Sequence, residues 1–130
     1  VRTVAELIES TGVDVLDYLD RQASVPVLTA PQIQGDVSFL PADGLVANTP
    51  IPAAGVVVAS GREGHDHRLV GVGFFDIAND GGVGIGVLTV PEGAEVYAAH
   101  DEHGFMGFGP GTYRVGRQRE QADIIAFVAD

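Results

Sequence analysis

Two periodicities divide the chain. In T-V-A-E-L-I-E-S (3–10), Thr3 can cap a helix and Glu6, three residues on, can return the bond as a capping box, with Gly12 as the stop. Val13 to Gln22 then sets Val13, Val15, Leu16 and Leu19 at helical spacing, so the first 22 residues predict a helical hairpin. Its other face carries Asp14, Asp17 and Asp20, which reads as a solvated face. After Ala23 the spacing falls to two. Short apolar runs at 25–29, 35–41, 55–60, 67–77, 82–90, 94–100 and 112–120 are separated by P-A-D-G, N-T-P-I-P, N-D-G-G, P-E-G and G-P-G. Asn79–Gly82 is the best hairpin candidate. Val37, Phe39, Val56, Val58, Leu88, Val90 and Val115 should face inward. Residues 121–130 fit a strand or a short helix equally well. The pattern predicts a mainly β chain, a small antiparallel β-barrel or sandwich over 24–130, behind an N-terminal helical segment over 1–23.

Composition narrows the function classes. A length of 130 residues suits one core, and 18 glycines with 7 prolines and no G-X-Y period suit many tight turns. With no cysteine, disulfides and thiolate ligands are excluded, so any metal must be held by nitrogen and oxygen. A net charge of -11, with seven arginines and no lysine, opposes a phosphate backbone, which argues against nucleic acid as a partner. No apolar run approaches the ~20 residues of a membrane span, and no signal-peptide pattern opens the chain. These features predict no membrane partner and a cytoplasmic location, or a virion location if the gene is phage-borne. The expected partner is another protein or further copies of this chain.

The candidate chemistry lies in the histidines. All four fall in two windows, G-H-D-H (64–67) and H-D-E-H-G (100–104). On a strand His65 and His67 project to one face, and His100 and His103 meet across one helical turn or a tight loop after a strand ending at Ala99. Four imidazoles without a thiolate suit a divalent transition metal such as zinc, with Asp66, Asp101 and Glu102 as further ligands or as acceptors for ring N–H groups. The alternative is a hydrogen-bonded cluster without metal. If the site is open, Glu102 is the catalytic candidate, a general base beside metal-bound water.

Other polar features carry less. Alternation puts Arg117 and Arg119 on one face with Tyr113 and Val115, either an anion-binding strip or a solvated face paired with local carboxylates, and the second is the expectation in so acidic a chain. No dinucleotide fingerprint, P-loop or G-x-S-x-G is present.

Q-G-D-V (34–37), V-V-V-A-S-G-R-E-G-H-D-H (56–67), H-D-E-H-G (100–104) and P-G-T-Y-R-V-G-R-Q-R-E (110–120) together resemble a family of small uncharacterised bacterial and phage proteins with G-H-x-H, H-x-E-H-G and P-G-x-Y-x-V elements in this order. The resemblance spans residues 34–120, leaves the helical segment outside, and implies His65, His67, His100, Glu102 and His103 as shared positions with no activity attached. A weaker resemblance is to cupins, with His65 and His67 as the histidine pair and P-E-G (91–93) as a turn of the second motif. The glutamate expected after the pair is missing from 69–75, and Val96 stands where the last histidine belongs, so the likeness implies barrel-and-metal logic and not cupin enzymology.

Three functions follow as expectations. The first is a noncatalytic metal-binding β domain, a component or adaptor of a larger phage-derived assembly that docks through its helical N-terminus. The second is a small metal-dependent enzyme with hydrolytic or oxidative chemistry at the histidine site. The third is a metal-free virion structural or decoration protein.

Overall fold

The computed structural model describes residues 2–15, 20–60, 65–78 and 84–117. A two-residue strand β1 (Arg2–Thr3) leads into helix α1 (Val4–Thr11). The capping box forms as the sequence requires: Glu6 N donates to Thr3 Oγ1 at 3.2 Å, Thr3 N donates to Glu6 Oε1 at 3.0 Å, and Gly12 closes the helix at φ 74°. The second helical arm is not found among the described residues. Val13–Val15 and Asp20–Gln22 are non-helical, and the rest of that arm lies outside the described residues. The reason is visible at the start of α1, where Val4 N donates to Ala23 O at 3.0 Å and Ala5 N to Arg21 O at 2.9 Å. The returning segment supplies acceptors for first-turn amides that have no partner within the helix, and it does so from a turn, closed by Ala23 N donating to Asp20 O at 3.3 Å, that leads directly into a strand at Ser24.

The β strands are β2 (Ser24–Val25), β3 (Val27–Leu28), β4 (Gln32–Gln34), β5 (Val37–Pro41), β6 (Val56–Ser60), β7 (Asp66–Gly71), β8 (Phe74–Ile77), β9 (Gly86–Val90), β10 (Val96–His100), β11 (Gly104–Phe108) and β12 (Gly111–Arg117). They build two five-stranded sheets, β3-β11-β10-β7-β6 and β4-β5-β12-β9-β8, with only the β3–β11 pair parallel within them. The single run predicted over 67–77 is two strands in different sheets. At the corner between them, a Cβ on Gly71 would lie 2.5 Å from Glu95 O and one on Gly73 2.8 Å from Val96 Cγ2, so the chain crosses between sheets where only glycine fits. β8 and β9 pair antiparallel, as the hairpin prediction requires, although Asn79–Gly82 itself falls outside the described residues. Residues 121–130, left open between strand and helix, also fall outside them.

The sheets face each other as a sandwich. Val37, Phe39, Leu88, Val90 and Val115 are buried between them, and Val56 and Val58 pack against the same core from the edge. A bulge between Val57 and Ala59 breaks the alternation of β6 and admits Ala59 to that core. β11 was not among the predicted runs, because G-F-M-G-F does not alternate; it is buried on both faces. The cause is a second core, in which Val4, Leu7, Val15 and Val25 cover Val70, Tyr97, Ala99 and Phe105 on the outer face of the first sheet. No helix among the described residues is long and apolar enough to cross a membrane.

Candidate metal centre

The sandwich brings both histidine windows to one end. His67 shares the inward face of β7 with Leu69, and His100 ends β10 in phase with Val96 and Ala98. One step beyond the Ala99–Arg68 pair of the β7–β10 ladder, their ring centres lie 4.4 Å apart. The turn 101–103 then folds His103 back to 4.5 Å from His100, while His65 lies 6.2 Å from His100 and His103 6.4 Å from His67. The strand before the turn ends at His100, one residue later than expected. Two imidazoles on one ion, with metal–nitrogen bonds of about 2.0–2.1 Å, place their ring centres roughly 4.5–6.5 Å apart, so these spacings are of the required size.

The tightest set of ligand atoms among the described residues is nevertheless mixed. His65, Asp101 and Glu102 offer atoms all within 4.8 Å of one another. His65 Nδ1 is 2.7 Å from Asp101 Oδ2, and His65 Nε2 is 2.9 Å from Glu102 Oε1. All three are partly exposed; His65 and Glu102 line an open cleft with Asp36, Ser60, His67, His100 and His103, while Asp101 lies behind it, beside Asp66, Arg68 and Ala99. Asp101 Oδ1 is buried without a hydrogen-bond partner among the described residues. Asp66 is not among the cleft-lining residues.

Three participants had no assigned role in the sequence reading. Gln34 is fully buried; its Nε2 donates to Ala98 O at 2.9 Å and to Gly104 O at 3.1 Å, leaving Oε1 to face His67 Nδ1 at 2.9 Å. Asp36 sits on the β4–β5 turn with Oδ1 3.6 Å from His67 Nε2 and Oδ2 accepting from Arg117 Nη1 at 2.9 Å. Arg117 thus pairs with a local carboxylate, as the structural reading of the arginine stripe expects, while Arg119 lies outside the described residues. Gly35, at φ 61°, lets this turn close on the cleft: a Cβ there would meet His103 Nε2 at 2.9 Å and His67 Cε1 at 3.4 Å. The available signal for Gln34 was the Q-G-D-V element itself, but no spacing rule links it to a histidine 33 residues away.

Burial shapes the titration. His67, 4 % exposed, has its pKa pushed down to about 4, first by burial and then by His100, against the opposing pull of Asp36. His100 is lowered too, again by burial first and then by His103. Between about pH 4 and the ordinary 6.5, the unfolded chain takes up a proton at residue 67 that the folded chain does not. Stability present above that window is lost as pH falls through it, by about 2 kcal/mol at pH 5. Denaturant midpoints at pH 7.5 and pH 5 measure the loss, and His67→Gln should flatten the slope.

Fold and site together define a β-sandwich domain with a histidine–carboxylate cleft at one end. The chain belongs to the DUF8820 family, described as a domain of unknown function, which matches residues 33–118. The match includes Gln34, Asp36, all four histidines, Asp101 and Glu102, and it leaves α1 and β1–β3 outside. It covers nearly the stretch over which the motifs resemble an uncharacterised family. No similar curated protein and no similar solved structure is found.

Proposed function

We propose that this is a metal-binding β domain, whose cleft holds a divalent transition ion such as zinc, and that it serves as a component of a larger assembly. The observation carrying the metal reading is the trio of His65, Asp101 and Glu102, with ligand atoms within 4.8 Å. An imidazole with carboxylates suits zinc, manganese or iron, and His67 and His103 line the same cleft as His65 and Glu102, where they could complete a coordination sphere. Asp101 Oδ1, buried with no hydrogen-bond partner among the described residues, adds support, because an unpaired carboxylate oxygen is costly and a cation would satisfy it. The assembly role rests on Val46, Val72 and Ile77, each about two-thirds exposed or more, which offer apolar surface for a protein partner or another copy.

The test is elemental analysis of untagged protein, followed by melting with zinc and with chelator. Zinc at a hundredfold excess over its dissociation constant should add about 2.7 kcal/mol, and chelator should remove it. Metal-free protein whose melting ignores both would end the metal reading.

One observation favours an enzyme as the second reading: Glu102 Oε1 lies 2.9 Å from His65 Nε2, where a carboxylate could serve as general base to water on an ion held by that histidine. Glu102→Gln separates the two, since an enzyme would lose turnover more than it loses metal.

A further inference from the structure

We infer that the four histidines are not equivalent, and that His100 is the clamp of the ligand-bearing turn and not itself a ligand. The inference deepens the metal reading and rests on it only for what the turn carries. His100 Nδ1 accepts two backbone hydrogen bonds, from Glu102 N at 3.1 Å and from His103 N at 3.2 Å. A ring nitrogen that accepts is the unprotonated one, so the neutral ring carries its proton on Nε2. Its one lone pair is committed to the turn. To offer Nε2 to a metal, the ring would have to move its proton to Nδ1 and leave both amides without their acceptor. Among the described residues, the opposite tautomer has one group in its favour, Asp101 Oδ1, which stands 3.5 Å from Nδ1 and forms no hydrogen bond there. Two donors satisfied outweigh one distant oxygen.

The geometry has a simple analogue. Nδ1 is bonded to Cγ, as the side-chain oxygen of asparagine is, and asparagine commonly accepts from backbone amides two and three residues on. His100 therefore holds Asp101, Glu102 and His103 as an Asx residue would. His67 is the contrast. Gln34 donates to two carbonyls, so its oxygen must take the proton of His67 Nδ1, which leaves the Nε2 lone pair in the cleft, opposite Asp36 Oδ1 at 3.6 Å. A fixed N–H on the far side of the ring is the arrangement that orients ligating histidines.

The experiment has two independent readouts. Long-range proton–nitrogen NMR of the metal-free protein at pH 7.5 should show His100 unprotonated at Nδ1 and His67 unprotonated at Nε2; a proton on His100 Nδ1 overturns the inference whether or not metal binds. In zinc titrations, His100→Ala should weaken binding at least tenfold by loosening the turn, and His100→Asn should restore it to within about threefold of the parent chain. His67→Gln should lose at least tenfold. If His100→Asn melts like the parent chain yet binds zinc as poorly as His100→Ala, His100 is a ligand and the inference fails. If the parent chain binds no zinc, the metal reading fails and the NMR result still decides the clamp.

Discussion

Gln34→Leu is expected to cost the domain about 4 kcal/mol, within a range of about 3–5 kcal/mol, because one change removes three buried hydrogen bonds and replaces none. Gln34 is fully buried and joins the second sheet to Ala98 O and Gly104 O of the first, while holding the ring of His67. Leucine fills much of the volume, so the loss reports polar groups left without partners more than a cavity. A domain of this size is typically stable by only about 5–15 kcal/mol, so the variant should melt on the order of 10 °C lower. Gln34→Glu is the sharper companion: its shape is nearly the same, but a carboxylate cannot donate to either carbonyl. Chemical denaturation of both variants measures the effect. A loss below about 1 kcal/mol in each would mean that water replaces the side chain, and that the link between the sheets is not what stabilises this end of the sandwich.

Leu7→Ala should cost about 3 kcal/mol, the usual scale for truncating a buried leucine. Leu7 is fully buried in the second core, with Val70, Tyr97, Ala99 and Phe105. The substitution tests whether the N-terminal segment is a detachable docking element or part of the fold. The apolar face such an element would offer to a partner is already against the chain's own sheet. Deleting residues 1–22 should therefore lower the melting temperature further than Leu7→Ala and expose surface that binds a hydrophobic dye. Unchanged midpoints for both variants would return the segment to the adaptor role.

The sequence by itself determined what local geometry controls. Thr3, Glu6 and Gly12 mark the helix because its unpaired end groups need partners at fixed offsets. The spacing of two in Val37 and Phe39, or Leu88 and Val90, marks the inward face because side chains alternate on any strand. The two histidine windows were legible for the same reason. What only the tertiary structure decided are the contacts between distant residues. Glycines 71 and 73 read as part of one strand until the opposing backbone at Glu95 and Thr89 shows why the chain must turn there. Residues 20–22 read as helix until Ala5 claims the carbonyl of Arg21. The histidines look interchangeable in sequence, and they become distinct when Gln34 reaches His67 from the other sheet and the amides of Glu102 and His103 turn back onto His100. Spacing along a chain fixes which face a residue can share. The partner across the fold, which fixes where the proton sits on each ring, depends on how the sheets are stacked.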